Sequence, residues 1–495
     1  MANQISSPCS VQERSALFTD FYELTMSQGD WLKNKNRRAV FEMFFRRNPF
    51  KGGFSVFAGL ETLLDCVKTF RFSDDDIQYL HSLKFFNEGF LDYLKDFKFT
   101  GSIYAMDEGS VVFPHEPLLR IDSTLIECQI LEGLVLNTIN FQSLIATKTA
   151  RVKLAAGEGG IMEFGLRRAQ GQDGALSASR ASFIGGADGT SNTLAGKQFG
   201  IKVMGTMAHA WIMSFANEED AFRTYAEVFP NNPVFLIDTY DTLKSGVLNA
   251  IKVGKEVIAH GGNFGVRLDS GDMYYLSKKV REMLDEAGCR NATITVSNDL
   301  DERIISTLTS QGAPINSWGV GTQMVTGGSD SAFTGVYKMM CLEDGNGNLK
   351  PTIKFSDNPE KTTTPAIKQI WRIYDKTGMT QADILAIDDP DNSDNSEKLD
   401  CCKKECFWHP SADYRHFYQT LDTAPQPLLK KCMEGGKQIS QNPSLSEVQD
   451  FCKKELQTFD ASYKRLLNPH IFKVAITTKL RTLKLDLIKN FLGDL

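Results

Sequence analysis

Four apolar runs in the middle of the chain each end in a cluster of polar residues, and amphipathic segments separate the runs. The runs are PVFLIDTYDT at 233–242, FGVRLDSGD at 264–272, TVSNDLDE at 295–302 and SWGVGTQM at 317–324. Their polar ends recur at Asp238, Asp269, Asn298 and Gly321, in steps of 31, 29 and 23 residues. One strand with its following helix has about that length. The pattern therefore predicts parallel strands whose C-terminal ends carry the polar side chains.

The segments between these strands have the period of amphipathic helices. They are LKSGVLNAIKVGKEVIA at 243–259, YLSKKVREMLDEAG at 275–288 and DERIISTLTSQG at 301–312. The last two end on glycine, as many helices do. Polar chemistry at the C-terminal ends of successive strands, with phosphate held after the last two, is typical of an α/β barrel enzyme. We therefore predict an α/β barrel domain over residues 141–335.

The regions on either side of this domain lack its regular alternation. Residues 1–140 mix helical and strand patterns, which predicts a separate N-terminal α/β lobe, and an apolar helical stretch at 125–148 predicts a buried helix at the domain junction. A hairpin pattern with a Gly/Asn turn at 334–356 is expected to return the chain to the lobe, so that residues 336–400 complete it. Residues 401–495 are the predicted C-terminal extension, which ends in a helical tail.

Composition narrows the class of protein. The 495 residues are 42% hydrophobic, enough to bury the cores of two or three domains. The net charge of −6 provides no general basic field, so nucleic acid is not an expected partner. The sequence has no apolar run of about eighteen residues and no apolar leader, so we predict neither a membrane span nor a signal peptide. Ten irregularly spaced cysteines then indicate reduced thiols and a cytoplasmic location.

The loop VRLDSGD is the strongest candidate for chemistry. It presents Arg267, Asp269 and Asp272 within six residues, after a strand and one unit beyond Asp238. Carboxylates at successive strand ends favour a functional site. The alternative is a capped helix start with surface charges, because Asp and Ser are good N-caps.

Two further groups are weaker when taken alone. Phe164, Arg167 and Arg168 lie beside several glycines in EFGLRRAQG, and paired arginines next to glycine suit pyrophosphate, although a solvated charged loop is an equal alternative. His209 follows the apolar run GIKVMG and is therefore predicted at another strand end, but a lone histidine is more often structural.

The C-terminal region contains a patch of thiols and imidazoles. Its residues are Cys401, Cys402, Cys406, His409 and His416. The spacing lacks the repeated close cysteine pair of a closed zinc site, so reduced thiols are the favoured interpretation.

Taken together, the motifs resemble those of the nicotinate phosphoribosyltransferase family. They are TDFYELTMSQG, FRRNPFKGGF, EFGLRRAQG, GGADGTSNTLAG, GTMAHAW, LIDTYDT, GVRLDSGD, VSNDLDE and WGVGTQM, in the family's order over about residues 18–340. The resemblance implies a type II phosphoribosyltransferase with an α/β sandwich lobe, an irregular barrel and a head-to-tail homodimer. It also implies the reaction: nicotinate displaces pyrophosphate from 5-phosphoribosyl-1-pyrophosphate to give nicotinate mononucleotide, while ATP is hydrolysed and Mg²⁺ assists.

The resemblance also assigns roles to individual residues. Tyr22 would come from the second subunit and stack, with Phe164, about the pyridine ring, while Arg167 and Arg168 would lie near the pyrophosphate or the ring. His209 matches the histidine that ATP phosphorylates. Ribose hydroxyls or magnesium would contact Asp238, Asp269 and Asp272, and Arg267 would lie by the substrate. The 5-phosphate would be held through backbone N–H groups in the loops at Ser297, Asn298, Gly319, Gly321 and Thr322.

The choice between acid and amide substrate depends on one short segment. Relatives specific for nicotinamide carry a carboxylate in the segment matching GTSNTLAG, whereas Thr190, Ser191 and Asn192 are neutral here. Hydroxyl donors and the nearby Arg267 favour nicotinate, which a buried carboxylate would repel. The alternatives are a nicotinamide phosphoribosyltransferase and a non-catalytic binding protein on the same fold. Loss of His209 or of a carboxylate in VRLDSGD would have favoured the binding protein, and neither is lost.

Overall fold

Strands and helices alternate along the chain in this computed structural model, which describes residues 15–389, 391, 394–400, 403–412 and 414–493. The strands are β1 (Arg38–Phe45), β2 (Ser55–Val56), β3 (Ser102–Ala105), β4 (Val111–Val112), β5 (Leu119–Thr124), β6 (Gly160–Glu163), β7 (Gly189–Thr190), β8 (Val234–Leu236), β9 (Gly265–Leu268), β10 (Thr293–Asn298), β11 (Ser317–Val320), β12 (Gly335–Glu343), β13 (Leu349–Pro351), β14 (Lys368–Tyr374), β15 (Thr380–Ile387), β16 (Lys404–Trp408), β17 (His416–Thr420), β18 (Gln426–Pro427), β19 (Lys430–Glu434), β20 (Lys437–Gln438) and β21 (Val474–Ile476).

The helices include several short ones. They are α1 (Phe21–Leu32), α2 (Leu60–Thr69), α3 (Asp74–Ser82), α4 (Glu88–Lys95), α5 (Leu125–Ile130), α6 (Glu132–Ala156), α7 (Gly171–Ile184), α8 (Thr193–Phe199), α9 (His209–Met213), α10 (Glu218–Val228), α11 (Val247–Ala259), α12 (Met273–Glu286), α13 (Glu302–Ser310), α14 (Thr322–Val325), α15 (Leu445–Gln457) and α16 (Thr478–Gly493). A π-helical turn at Thr242–Gly246 leads into α11.

The chain divides into two compact units. One is continuous and spans residues 148–331, and the other is discontinuous and consists of residues 1–147 and 332–495. Residues 401–495, expected as a separate extension, belong to the discontinuous unit, because β16 and β21 lie in the same sheet as β14 and β15.

A six-stranded parallel sheet forms the continuous unit, and it confirms the predicted α/β fold. The strand order is β7-β6-β11-β10-β9-β8, and every ladder in it is parallel. The four apolar runs of the sequence are β8 to β11, which are neighbours in the sheet. Among the described residues, no backbone hydrogen bonds pair β7 with β8. The sheet therefore does not close into a complete barrel between these two strands.

The strands of this sheet are apolar runs because helices cover both faces of a parallel sheet. Phe235, Val266, Ile294 and Val296 are fully buried, and the Trp318 side chain is 2% exposed. Burial of each such aliphatic or aromatic side chain contributes about 1.5–3 kcal/mol. The sheet interior therefore stabilises the unit, while the polar chemistry is left at the strand ends.

The helices that follow the strands begin and end where the sequence predicts. The side chain of Asp272 caps the N-terminus of α12, and that of Asp301 caps α13. Gly288 and Gly312 follow the C-termini of these two helices with φ of +83° and +73°. The left-handed conformation favours glycine, so the prediction of glycine at both helix ends is confirmed.

The discontinuous unit contains mostly antiparallel sheet. A seven-stranded sheet has the order β13-β12-β1-β5-β3-β19-β20, in which β12 pairs with β1 and forms a hairpin with β13. The hairpin predicted at 334–356 is therefore present. A mixed six-stranded sheet has the order β17-β16-β21-β15-β14-β18. Its strand β21 lies between α15 and α16 within the predicted helical tail, and it pairs in parallel with β15.

The described cysteines include both free thiols and a disulfide-bonded residue. Cys128, Cys289, Cys341, Cys406, Cys432 and Cys452 are free thiols. Cys66 is disulfide-bonded, which differs from the expectation of reduced thiols, because spacing in the sequence gives no information on which cysteines meet. Within the described ranges, no helix is long and apolar enough to cross a membrane.

Candidate active site

The C-terminal ends of the six parallel strands carry most of the side chains singled out in the sequence. Thr190 ends β7, Phe164 follows β6, Gly321 follows β11, Asn298 ends β10, Asp269 follows β9 and Asp238 comes shortly after β8. Because neighbouring strands are parallel, these ends lie along one edge of the sheet. The candidate site is therefore built from six segments that are distant in sequence.

Asp238 is held by the loop that follows the neighbouring strand. Its Oδ2 accepts hydrogen bonds from the main-chain N–H of Asp269 at 3.0 Å and from Oγ of Ser270 at 2.5 Å. Its Oδ1 is buried and has no hydrogen-bond partner among the described residues. A buried oxygen without a donor costs free energy. Oδ1 is therefore available to a bound cation or hydroxyl group.

The guanidinium of Arg267 links three segments of the site. Nε donates to Oγ of Ser297 at 2.8 Å, Nη2 to Oδ1 of Asp269 at 3.0 Å and Nη1 to Oγ1 of Thr206 at 2.9 Å. The Ser297 hydroxyl in turn donates to Asp269. Because the guanidinium is planar, these contacts fix its orientation and that of the carboxylate together.

The carboxyl group of Asp269 is ionised at neutral pH. Burial raises its pKa, but the hydrogen bond from Ser297 and the charges of Arg267 and His209 outweigh burial, so its pKa lies below the ordinary value. An ionised carboxylate held in a fixed orientation suits a site in which positive charge develops on a substrate.

His209 lies close to both carboxylate loops. Its Nδ1 is 3.1 Å from Oγ1 of Thr239, which follows Asp238, and its Nε2 is 3.9 Å from Oδ2 of Asp269. The side chain is 42% exposed, so it is accessible to a substrate. If Nδ1–H donates to Thr239, then Nε2 keeps its lone pair and can act as a nucleophile.

The segment before His209 differs from its prediction. The run at 200–205 was expected to form a strand, but it makes a single backbone bridge between Val203 and Thr190. Its partner strand β7 contains only two residues, so no longer ladder can form. His209 begins the short helix α9 and does not end a strand.

Phe164 lies against two glycines, Gly319 within β11 and Gly321 directly after it, the first beside its ring and the second beside its main chain. A β-carbon at Gly319 would be 2.7 Å from Cδ2 of this ring, and one at Gly321 would be 3.1 Å from the Phe164 carbonyl oxygen. The guanidinium carbon of Arg267 is 5.9 Å from the ring centroid. Glycine at these two positions therefore has a steric reason, because it allows the Phe164 segment to approach β11 closely.

The remaining loop residues are placed in several ways. Arg167 and Arg168 form a 3₁₀ turn after Phe164, and both are exposed without an ion pair to any described residue. Asp272 accepts a hydrogen bond from Tyr275 N–H as the cap of α12. Asn298 has a φ of +107°, an uncommon conformation for a residue with a side chain. Ser297 is buried beside it, and Thr322 begins α14.

The neutral segment 190–192 is tied to a buried carboxylate that sequence analysis missed. Glu163 ends β6 and is 1% exposed, and it accepts hydrogen bonds from the Thr190 hydroxyl and from the Ser179 hydroxyl. Asn192 is also buried and donates to Oγ of Ser179, whereas Ser191 is partly exposed. Glu163 could have been noticed, since it is a carboxylate at a strand end, like Asp238.

Tyr22 lies in the discontinuous unit, on the first turn of α1. Its side chain is 49% exposed, and partial burial together with the charges of Glu132 and Glu23 raises its pKa. Glu23 beside it is buried, and neither carboxylate oxygen has a hydrogen-bond partner among the described residues. Burial and the charge of Glu132 raise the pKa of Glu23 to about 7.

The patch of thiols and imidazoles near residue 400 is only partly visible, because Cys401 and Cys402 lie outside the described residues. Cys406 is a free thiol on β16. Nδ1 of His409 accepts main-chain hydrogen bonds from Ser411 and Ala412, and His416 packs on Trp408. No group of three potential metal ligands occurs in the part of the chain that is described.

Comparison with known proteins places this geometry in context. Family models match three stretches: the nicotinate phosphoribosyltransferase N-terminal domain at residues 17–140, the nicotinate phosphoribosyltransferase family at 160–395 and the C-terminal domain at 367–484. Among curated relatives, nicotinate phosphoribosyltransferase of Bacillus subtilis (strain 168) is 41% identical over 464 residues, which is 93% of each chain. The Homo sapiens protein of the same name is 31% identical over 94% of this chain and 95% of its own.

Solved structures agree with the sequence matches. The crystal structure of human nicotinic acid phosphoribosyltransferase superposes with a TM-score of 0.82 at 30% identity, over 95% of this chain and 99% of the other. A nicotinate-nucleotide pyrophosphorylase from Pyrococcus furiosus has a TM-score of 0.67 at 24% identity, over 90% of this chain and 95% of the other, which shows a shared fold. The similarity therefore covers both compact units and the edge of the parallel sheet.

Proposed function

The chain belongs to the nicotinate phosphoribosyltransferase family, and from this premise we propose that it transfers the phosphoribosyl group of 5-phosphoribosyl-1-pyrophosphate to nicotinate in NAD salvage. The products are nicotinate mononucleotide and pyrophosphate. The observation that best supports this function is the hydrogen-bonded group of Asp238, Asp269, Arg267 and Ser297 at one edge of the parallel sheet. It holds two carboxylates and a guanidinium in fixed positions.

These groups match the charges that develop during the transfer. The pyridine nitrogen donates its electron pair to C1 of the ribose, and the bond between C1 and the pyrophosphate oxygen breaks. Pyrophosphate leaves with the bonding pair, so positive charge develops on the sugar. Asp238 and Asp269 would stabilise the sugar, together with Asp272 at the ribose hydroxyls. Arg167 and Arg168 would bind the leaving group, and both are exposed and unpaired among the described residues.

Magnesium would accompany the pyrophosphate. Asp238 and Asp269 fit this ion, since carboxylate oxygens are preferred Mg²⁺ ligands and Oδ1 of Asp238 is buried without a hydrogen-bond partner among the described residues. When bound, the ion would neutralise charge on the pyrophosphate oxygens.

The pyridine ring would be bound by aromatic side chains of two subunits. Phe164 is positioned on one side by the Gly319 main chain. Tyr22 of the partner subunit would stack on the other face, and the half-exposed position of Tyr22 on α1 leaves it accessible. The proposal therefore includes a homodimer with shared active sites.

The 5-phosphate would be held by the loops that follow β10 and β11. Backbone N–H groups near Ser297, Asn298, Gly319, Gly321 and Thr322 are the expected donors. Asn298, with its φ of +107°, ends β10 where the first of these loops begins.

His209 would couple the transfer to ATP hydrolysis. Nε2 would attack the γ-phosphorus of ATP, forming an N–P bond as the bond to the ADP oxygen breaks. Water would later attack the same phosphorus and release phosphate, returning the electron pair to Nε2. The contact of Nδ1 with Thr239 supports this role, since it can hold the tautomer in which Nε2 is unprotonated.

Nicotinate is favoured over nicotinamide by the charges near the ring. Thr190, Ser191 and Asn192 are neutral, and Arg267 lies near Phe164. Glu163 is the carboxylate nearest this segment in the hydrogen-bond network, and its oxygens already accept bonds from Gly165, Ser179 and Thr190. Glu163 is also 1% exposed, so we expect no hydrogen bond to it from an amide N–H of the substrate.

One assay tests the proposal. Nicotinate mononucleotide formation is measured from nicotinate, and nicotinamide mononucleotide formation from nicotinamide, each with and without ATP and Mg²⁺. Turnover with nicotinate should exceed that with nicotinamide by about a hundredfold or more, because an unpaired polar mismatch in a buried site is costly. Equal rates would overturn the substrate assignment, and an absence of any ATP effect would overturn the coupling. A cytoplasmic location remains part of the proposal, and cell fractionation tests it.

A further inference from the structure

Glu163 lies at the junction of three segments that carry proposed substrate contacts. It ends β6, where its backbone pairs with Thr190 of β7 on one side and Val320 of β11 on the other. Glu163 is 1% exposed. Its carboxylate is therefore more buried than those of Asp238 and Asp269, which are partly exposed in the loops after β8 and β9.

Three donors converge on this buried carboxylate. Oε1 accepts the main-chain N–H of Gly165, the residue after Phe164. Oε2 accepts the hydroxyl of Ser179, on α7, at 2.9 Å and the hydroxyl of Thr190. Hydrogen bonds to an ionised acceptor are the strong ones. One side chain therefore holds the start of the Phe164–Arg168 turn and the start of the 190–192 segment at the same time.

The network continues from these donors to Asn192. Its main-chain N–H donates to Oγ1 of Thr190 at 2.9 Å, and its Nδ2 is 3.3 Å from Oγ of Ser179. The Asn192 side chain also caps α8 through the N–H of Ala195. Because Thr190 accepts from Asn192, its single hydroxyl proton is free to point to Glu163. A carboxylate can only accept, so it fixes the direction of the hydrogen bonds that it receives from Gly165 and Thr190.

We propose that Glu163 is the positioning residue for nicotinate: it fixes Phe164 and the neutral 190–192 segment relative to each other and so sets the affinity and selectivity for the pyridine substrate. This inference rests on the proposed function. Glu163 does not touch the substrate in this role, and it acts through Phe164, Thr190 and Asn192.

Glu163→Gln is the informative substitution, because it keeps the shape but replaces one acceptor oxygen by a donor. If the amide oxygen accepts from Gly165, the amide nitrogen faces the hydroxyls of Ser179 and Thr190, and both must turn round to accept. We expect KM for nicotinate to rise about tenfold or more, from the usual strength of buried hydrogen bonds to charged groups. KM for 5-phosphoribosyl-1-pyrophosphate should rise less than KM for nicotinate, since only Arg167 and Arg168 among its proposed contacts follow Phe164, and the others lie on neighbouring strands.

Two further variants separate positioning from folding. Thr190→Val keeps the side-chain volume and removes one donor, so it should raise KM for nicotinate in the same direction even if Glu163→Gln folds poorly. Glu218→Gln is the matched control: this buried carboxylate of the same unit holds Ser245 and Asn249 instead, at 2.6 and 3.0 Å. Its loss should lower thermal stability without a selective rise in KM for nicotinate.

The outcomes are distinct. A selective rise in KM for nicotinate in Glu163→Gln and Thr190→Val, absent in Glu218→Gln, supports the inference. An unchanged KM in a folded Glu163→Gln protein overturns it, and so does an equal rise in both KM values that tracks the loss of thermal stability. If the wild-type protein itself shows no preference for nicotinate over nicotinamide, the proposed function fails before the role of Glu163 is reached.

Discussion

A β-carbon on Gly319 would lie 2.7 Å from Cδ2 of Phe164, so the aromatic ring rests directly on the main chain of β11. Real β-carbons do not approach other atoms that closely. The position of the ring, and with it one face of the proposed nicotinate site, depends on the absence of a single methyl group.

We therefore expect Gly319→Ala to displace Phe164 and to raise KM for nicotinate about tenfold, the effect of one to two kcal/mol of overpacking. Gly174→Ala is the control, since a β-carbon there meets nothing within 4 Å on helix α7. That variant should keep wild-type KM values and unfold at the same or a slightly higher temperature. Steady-state kinetics of both proteins check this, and a normal KM for Gly319→Ala would contradict the proposed contact between ring and substrate.

The imidazole of His209 should carry the phosphoryl group of ATP. The wild-type protein is expected to incorporate acid-labile phosphate from γ-labelled ATP, and His209→Asn is not, because an amide forms no stable phosphoramidate. The side chain is 42% exposed, so the substitution should change stability by no more than about 0.5 kcal/mol. The variant should also lose the ATP-dependent gain in product. His260→Asn, on an exposed histidine at the end of α11, is the control and should label normally. Labelling of His209→Asn would show that another residue is phosphorylated.

Mixing two inactive variants tests the shared site. Tyr22→Ala removes the residue proposed to come from the second subunit, and Asp269→Ala removes a carboxylate of the strand edge. A mixed dimer has one intact site, so random exchange should restore about a quarter of wild-type activity. Mixing after covalent cross-linking of each preformed dimer is the control, and it should restore none. Failure to recover activity despite demonstrated subunit exchange would argue against a site shared between subunits.

Glu23 should make stability depend on pH near neutrality. Its pKa is raised to about 7 by burial and by the charge of Glu132. A carboxyl group with a raised pKa in the folded state favours folding while it is protonated, and this contribution is lost as the pH rises through that pKa. Glu23→Gln should therefore melt at the wild-type temperature near pH 5 and a few degrees higher at pH 8, on the order of 2 °C. Glu227→Gln, at an exposed site on α10, should leave the melting temperature unchanged at both pH values. If wild type and Glu23→Gln have the same melting temperature at pH 8, then ionised Glu23 does not destabilise the folded protein.

The strands and helices of the continuous unit were predictable because the residue pattern of each segment agrees with its place in the overall fold. Strands such as Val234–Leu236 are apolar throughout, and the carboxylates that follow the strands cap the next helix, so period, length and turn residues give the same answer. The grouping of Asp238, Asp269 and Asn298 follows from parallel strand order alone.

The contacts of Glu163 and the strand pairings of residues 401–495 could not be obtained in this way. The local pattern can place Glu163 at a strand end, but its partners Ser179 and Thr190 are 16 and 27 positions away, and the pattern does not show that these side chains meet. Strand β19 pairs with β3 far away in sequence, and a two-residue strand such as β7 has no periodicity at all. Long-range contacts and very short strands depend on tertiary packing, and the secondary-structure propensity of a local segment does not contain that information.

The order of the two units along the chain has a consequence for synthesis. The main-chain N–H of Arg38 donates to Glu343, 305 positions away, so β1 cannot acquire its partner β12 until nearly 350 residues have been made. At ribosomal rates of about 5–20 residues per second, that delay is roughly 15–60 s. The continuous unit is complete by then and can fold first. β5 can pair with one edge of β1 early, but the other edge of the apolar strand AVFEMFF stays unpaired throughout this interval, and an unpaired apolar edge is the kind of segment on which aggregation begins.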